Sequence, residues 1–367
     1  MIPVRASTLP EPASPDSRCI ADSFERLTAR QARTHPLVNE PPSRRASTTA
    51  QWLPSTTPST LRRRAELFAL IREFFARRQV IEVDTPVLAR YGVTDPAIEP
   101  IVVAGSEDSP RFLQTSPEFA MKRLLAAGSG PIYQLGKAFR AQERGSRHNP
   151  EFTLLEWYRP GFRVEDLMDE VSALVRCCFG DASPVSEVRM TYGEAFASAT
   201  GLDPLRASLD ELKAVAGKFT DTATLSLDRD AWLDLLVSHA VEPSLRGRGL
   251  VFLHAYPASQ AALARCVEED GEAFADRFEL YVDGVEVADG YRELLDPSVL
   301  RARAVEDNAH RRLATQEERE LDPRLVAAME AGLPDCSGVA LGVDRLLMAV
   351  TGIERLEQVM PFSWDRA

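Results

Sequence analysis

Three stretches of this chain gather residue types that could do chemistry. The first runs from Phe139 to Phe152 and links two strand-like segments through a loop holding Arg140, Arg144, Arg147, His148 and Asn149. Arginines converging between paired strands suit an anionic, phosphate-bearing ligand, because guanidinium grips oxyanions with a planar fork of donors. In the returning strand, alternation puts Phe152, Leu154, Glu156 and Tyr158 on one face, with Thr153, Leu155 and Trp157 on the other. An aromatic ring, a carboxylate and a phenol in a row suit a site where a ring stacks and a cation is held. A charged surface loop leading into an ordinary strand would read the same way.

The second stretch runs from Phe278 to Gly290. Asp283-Gly284 between β-branched residues is a hairpin turn, which pairs Val282 with Val285 and Tyr281 with Glu286. In that register Glu279 is the diagonal neighbour of Glu286 on one face. Two carboxylates converging on a buried face repel unless a cation lies between them, and Mg²⁺ with bound phosphates is a usual occupant. Glu293, further along, could add a third negative group. A solvated hairpin face carries glutamates equally well, so spacing alone leaves both readings open. The third stretch, Gly338 to Met348, is a small-residue strand running into a helix with Arg345 in its first turn. Gly342 there would let a ligand approach the backbone closely.

The elements that must position these residues begin at Ser59. Thr60 can cap a helix in which Leu61, Ala65, Phe68, Ile71 and Phe75 recur at helical spacing. A β-branched run, residues 80–83, follows it, and Pro86 marks a strand edge or end. Strand-like runs at 132–139, 152–158, 251–256, 278–289 and 338–343 are separated by helical stretches around 117–127, 164–179, 231–240 and 299–313. Strands joined by hairpins and mixed with long helices predict an α+β fold, an antiparallel sheet flanked by helices.

The 367-residue composition narrows the function classes. A formal net charge of -12 disfavours non-specific binding to nucleic acid, and no apolar run is long enough to span a membrane. The five cysteines form no C-x-x-C pair, which argues against a zinc site and a disulfide framework and for a reducing, cytoplasmic setting. Residues 1–58 read as a disordered or dispensable extension, with seven prolines in the first fifty residues and no apolar core of a targeting signal. Residues 59–367 are the folded domain, with a net charge of -14.

In order and spacing the three stretches resemble the signature motifs of class II aminoacyl-tRNA synthetases. The run from Arg147 to Phe152 and the pair Glu286 and Glu293 are similar to lysyl-tRNA synthetase. Ser116-Pro117-Glu118, the run from His148 to Thr153 and the run from Pro334 to Arg345 resemble a truncated paralogous family, the elongation factor P–(R)-β-lysine ligases. The resemblance covers about residues 59–367. It implies the class II catalytic fold, an ATP site and Mg²⁺. Arg140 would hold the α-phosphate, Phe152 would stack on adenine, Arg147 would reach the outer phosphates, and Ala141, Gln142, His148, Asn149, Val287, Gly342 and Arg345 would complete the nucleotide site. Glu279 and Glu286 resemble the Mg²⁺ ligands. Arg140, Glu286 and Arg345 would carry the catalysis. Ser116, Pro117, Glu118, Glu156, Asp289 and Ala340 belong to the implied amino-acid pocket, with Glu118 on the amino group near the carboxylate and Tyr158 with Glu293 on the distal ammonium. The helix near Leu61 and the strand ending at Pro86 look like motif 1, which implies a homodimer.

Two positions depart from the synthetase pattern. Motif 2 reads Arg140-Ala141-Gln142, with the carboxylate Glu143 one position on, which implies weakened ATP affinity. Asp289 stands where the synthetase has asparagine, so Mg²⁺, an arginine or a differently placed carboxylate must compensate its charge. The implied reaction is ATP-dependent formation of an acyl-adenylate from (R)-β-lysine or lysine, followed by amide formation on a lysine of elongation factor P. The extension is too short and proline-rich for the anticodon-binding barrel of a lysyl-tRNA synthetase, and the folded part is acidic, so tRNA is a poor acceptor. Ala340, where the synthetase has glycine, narrows the pocket modestly, by about 1–3 kcal/mol of discrimination. A minimal lysyl-adenylate-forming enzyme and a catalytically dead binding module are the alternatives. Retention of Arg140, Glu286 and Arg345 speaks against the second.

Overall fold

Pro58 and Thr57 decide where the first helix starts. Proline at the first helical position needs no N–H partner, and the Thr57 hydroxyl accepts a hydrogen bond from the Thr60 amide at 3.2 Å, so the helix runs Pro58–Arg77. The cap is therefore Thr57 and not Thr60. The buried stripe is Thr60, Arg64, Leu67, Ile71, Phe74 and Phe75, while Leu61 and Ala65 face outward. Arg64 can lie inward because its guanidinium meets Asp344 at 2.5 Å and the Thr153 hydroxyl at 2.7 Å.

The computed structural model describes residues 52–104, 110–180, 186–269 and 271–367. Residues 1–51 of the expected extension lie outside the described residues. Its last residues are tied down: the Ser55 amide donates to the Pro361 carbonyl at 2.8 Å, and Thr56 is buried. Residues just ahead of Ser59 thus pack on the folded domain.

Among the described residues twelve strands follow in chain order: β1 (Ile81–Glu82), β2 (Leu88–Ala89), β3 (Val102–Val103), β4 (Arg111–Leu113), β5 (Ile132–Phe139), β6 (Glu151–Pro160), β7 (Glu187–Thr191), β8 (Leu250–Pro257), β9 (Cys266–Glu269), β10 (Glu272–Val282), β11 (Val285–Arg292) and β12 (Cys336–Gly342). Nine of them form one sheet in the order β1-β5-β6-β12-β11-β10-β8-β7, with β9 paired to β10; β2, β4 and β3 form a small second sheet. The six inner strands are antiparallel, and the two parallel pairs lie at the outer edges. This is the expected α+β architecture.

The two faces of the sheet do different work. On one, Leu155, Trp157, Phe252, Phe278, Leu280, Val339 and Leu341 pack against the helices Pro58–Arg77, Val164–Phe179 and Val343–Thr351. Phe75 stacks on Tyr133 there, with ring centroids 4.4 Å apart. The other face is covered only at its ends. Over β8 and β10 lies a helical insertion built on Phe196, Leu212, Trp232 and Leu236. Over the β5 and β6 end lie the helices Glu118–Ala126, Pro297–Leu313 and Pro323–Gly332. The middle of this face, between the two apolar clusters, carries the polar side chains of all three motifs. No described helix is long and apolar enough to cross a membrane.

Candidate active site

Strand β12 is the floor. Its cleft-facing residues are Gly338, Ala340 and Gly342, and cross-strand pairing sets larger side chains on either side of each. Ala340 lies between Glu156 on β6 and Asp289 on β11, and Asp289 is in turn paired with Glu279 on β10. Gly338 lies between Tyr158 and Tyr291. A Cβ on Gly338 would fall 2.4 Å from the Tyr158 ring and 2.5 Å from a Glu293 carboxylate oxygen, so only glycine leaves those side chains in place. Small residues on the central strand thus clear a trough with carboxylates along both walls.

The hairpin has the expected turn. Asp283 and Gly284 both have positive φ, and Val282 pairs with Val285 and Tyr281 with Glu286. Beyond Tyr281 the register shifts. Leu280 pairs with Ala288 and Glu279 with Asp289, so Val287 is an extra residue, a β-bulge. Regular alternation would send Asp289 to the face opposite Glu286; the bulge returns it to the same face. Glu279, Glu286 and Asp289 therefore share the cleft side of the sheet.

Two guanidiniums hold this acidic group. Arg277 donates from Nε and Nη2 to the two Asp289 oxygens at 2.9 and 3.0 Å, and from Nη2 to Glu279 Oε1 at 2.6 Å. Tyr281 donates its hydroxyl to the other Glu279 oxygen at 2.5 Å. Arg345 donates to the Glu286 carbonyl at 3.0 Å and carboxylate at 3.2 Å. Burial alone would raise the pKa of Glu286, but Arg345, Arg277 and Arg140 together hold it below the usual carboxylate range. For Glu279 burial prevails, and with Glu286 and Asp289 beside it the pKa is pushed up to about 7 despite Arg277.

At one end the trough opens into a cleft lined by Arg140, Glu143, Arg147, His148, Asn149, Phe152, Glu286, Val287, Asp289, Ala340, Gly342 and Arg345, among others. The Arg140 guanidinium lies 5.1 Å from the Phe152 ring centre and 3.0 Å from Glu143, with its Nε buried and without a hydrogen-bond partner. Arg345 donates to Nε2 of His148 at 2.7 Å. Arg147 reaches Glu242 of the helical insertion at 3.5 Å. Asn149 is turned to the backbone: it donates to the Glu151 carbonyl and accepts from the Trp364 amide. Gln142 is exposed and outside the cleft lining; Ala141, half-buried, is outside it too, its amide donating to the Glu99 carbonyl. The carboxylate beside Arg140 is thus Glu143.

At the other end the polar network is buried. Lys122, which sequence reasoning missed, donates to Glu118 at 2.7 Å and lies 2.5 Å from Glu293. Burial works against its charge, but those two carboxylates hold it protonated above the usual lysine range. Tyr291 also donates to Glu118, at 2.7 Å. Glu156 accepts from the Ser116 hydroxyl at 2.6 Å and the Tyr158 hydroxyl at 2.7 Å. Pro117 precedes the helix that carries Glu118 and Lys122. Burial first, then Glu118, pushes Glu156 up to about 7; burial, opposed by Lys122 and reinforced by Glu118 and Glu156, pushes Glu293 up to about 8. Glu118 and Glu293, assigned from the resemblance to opposite ends of the substrate, converge here on one internal lysine. The i, i+4 spacing of Glu118 and Lys122 was the available signal. Arg277 was visible as the residue two before Glu279, on its face.

Comparison with known proteins follows the same lines. Residues 43–366 match the family of class II tRNA synthetases (D, K and N). The chain is 46% identical over 327 residues to a Vibrio cholerae protein named elongation factor P–(R)-β-lysine ligase, covering 87% of this chain and 100% of that one. Proteins of the same name from Haemophilus influenzae (44% over 321 residues, 86% of this chain and 98% of that one) and Photorhabdus laumondii (43% over 328 residues, 88% and 100%) are similar to the same extent. The chain therefore belongs to the class II tRNA synthetases (D, K and N), in the branch formed by the elongation factor P–(R)-β-lysine ligases.

Proposed function

We propose that this protein uses ATP to activate (R)-β-lysine, or lysine, as an acyl-adenylate and transfers the acyl group to the ε-amine of a lysine on elongation factor P. The observation that carries the reading is the charge balance of the trough. Lys122 faces Glu118 and Glu293, and Arg277 faces Glu279 and Asp289, so each internal cation meets two carboxylates. Glu156 adds a further acid, held by neutral hydroxyls. Such a surplus of buried carboxyl groups over internal cations, with Glu156, Glu279 and Glu293 raised in pKa by burial, suits a cationic ligand whose charge would favour their ionised forms, and a diamino acid supplies two ammonium groups. The cleft beside it offers what a nucleotide needs: an aromatic ring at Phe152 and the donors of Arg140, Arg147 and Arg345.

The chemistry then follows from placement. The substrate carboxylate attacks the α-phosphorus of ATP and pyrophosphate leaves. Arg140, with a buried Nε free to donate, offsets the charge that grows on the α-phosphoryl oxygens, and Arg345 secures the nucleotide from the opposite wall. The lysine ε-amine, in its neutral form, next attacks the activated carbonyl, and AMP departs as the amide forms. Among the described residues no cluster of three or more His, Cys, Asp or Glu could hold a metal by itself. Mg²⁺ binds through one or two carboxylates plus substrate phosphates. Glu286, on the cleft wall, would hold it; Glu279 shares the face, but both its oxygens are already bonded to Arg277 and Tyr281. The ion would supply charge neutralisation at the phosphates when bound. Pairing of two copies through the Pro58–Arg77 helix, and a cytoplasmic location where ATP and the elongation factor occur, belong to the same proposal.

The test is intact mass of purified elongation factor P after incubation with the enzyme, ATP, Mg²⁺ and (R)-β-lysine, with α-lysine and tRNA as parallel arms. One lysyl-sized mass increment on the factor is expected. Charged tRNA beside an unmodified factor would overturn the acceptor assignment.

A further inference from the structure

The acidic group on the β10–β11 hairpin poses a problem that the reaction alone does not answer. The Val287 bulge brings three carboxylates to one face, and one of them, Asp289, lines the cleft beside Ala340, where the substrate backbone must pass. A flexible, uncompensated carboxylate there would repel the substrate carboxylate before it reached the α-phosphate. Arg277 removes both the flexibility and the charge. Its guanidinium is enclosed on every side: Nε and Nη2 clamp Asp289, Nη2 also holds Glu279, Nη1 donates to the Gln260 carbonyl at 2.8 Å, and the Tyr256 ring lies 4.5 Å from its centre. Only a planar fork can make these contacts at once; an ammonium offers the charge without the geometry. The irregular pairing of β10 with β8 between Ala275 and Phe278 falls at Arg277, next to Ala255 with its positive φ, so the local backbone is shaped around this residue.

Resting on the functional reading above, we propose that Arg277 is a positioning residue of this enzyme: by clamping Asp289 and Glu279 it fixes the wall along which the carboxylate end of the amino acid lies. It touches neither ATP nor the reacting atoms, and it acts through the two acids it holds. The role has a signature that a purely structural arginine would lack. Loss of the fork displaces the amino-acid site and leaves the adenine and phosphate contacts of Phe152, Arg140 and Arg345 intact.

The experiment is amino-acid-dependent ATP–pyrophosphate exchange on wild type, R277K, D289N and the double variant, with thermal unfolding of each. R277K keeps the charge and loses the fork. We expect it to fold and to lose roughly 10- to 100-fold in kcat/KM for the amino acid, the scale of a 1 Å misplacement, with the KM for ATP unchanged. D289N removes the acid that most needs the fork, so R277K/D289N should regain part of the activity that R277K loses. Should R277K fail to fold, D289N alone decides: a changed amino-acid KM at constant ATP KM supports the role, and no change in either overturns it. Wild-type kinetics in R277K, or a loss expressed in the ATP KM, also overturn it. Absence of lysine-dependent exchange in the wild type would overturn the functional reading itself.

Discussion

Replacing Gly338 by alanine is the sharpest single perturbation of the substrate trough. The added methyl would sit 2.4 and 2.5 Å from two Tyr158 ring carbons and 2.5 Å from Glu293 Oε1, where ordinary carbon contacts need about 3.5 Å or more. Neither neighbour can swing into solvent. Tyr158 is 2% exposed with its hydroxyl bonded to Glu156, and Glu293 is 1% exposed against Lys122. Relief requires a displacement of about 1 Å in side chains that wall the trough, and such a misplacement costs on the order of 100-fold in rate, about 2.7 kcal/mol. Overpacking adds about 1–3 kcal/mol of lost stability. In ATP–pyrophosphate exchange, G338A should therefore lose about 100-fold in kcat/KM for the amino acid and keep its KM for ATP. G193A is the matched control: its new methyl, in the first turn of the helix Tyr192–Thr200 and outside the cleft lining, would meet nothing closer than 4.0 Å, and exchange should be close to wild type. Wild-type kinetics in G338A, or equal losses in both variants, would refute the reasoning about the floor.

Three further outcomes follow from the same geometry. Glu286→Ala should abolish exchange while the protein stays folded, because it removes a cleft carboxylate and the acidic partner of Arg345; full exchange would sink the assignment of Glu286 to Mg²⁺ and the nucleotide. Asp344→Ala strands the buried Arg64, so urea unfolding should show a loss of about 3–5 kcal/mol, with Asp344→Asn costing less. Glu156 has a folded pKa of about 7 against about 4.3 in an unfolded chain, so folding favours its protonated form. Its contribution to stability is full below about pH 4 and is lost as the pH rises through 7. The melting temperature of the ligand-free protein should fall more steeply between pH 5 and 8 in wild type than in Glu156→Gln, and equal slopes would contradict the assigned burial.

Much of the site was legible in the chain because local rules wrote it. The Asp283-Gly284 turn follows from the positive φ that its two central residues must adopt, and that turn alone registers Tyr281 opposite Glu286. Alternation along β6 placed Phe152, Glu156 and Tyr158 on one face, and the helix Val164–Phe179 appears where apolar periodicity puts it. The composition and the order of the three motifs led to the α+β sheet and to the family. What the sequence could not decide depends on groups that meet across distant parts of the chain. The Val287 bulge is invisible to period-two reasoning, yet it alone turns Asp289 to the cleft side. The partners of the acids are equally non-local: Lys122 reaches Glu293 from the helix over the β5–β6 end of the sheet, and Arg345 meets Glu286 from the helix that follows the floor strand. The first helix shifts its buried stripe because Arg64 finds Asp344, 280 residues away. Sequence set the residue types, the turns and the faces. The tertiary structure decided which charges are already answered by the protein and which are left for a ligand, because the free energy of a buried charge is fixed by its nearest counter-ions, and these are chosen by packing.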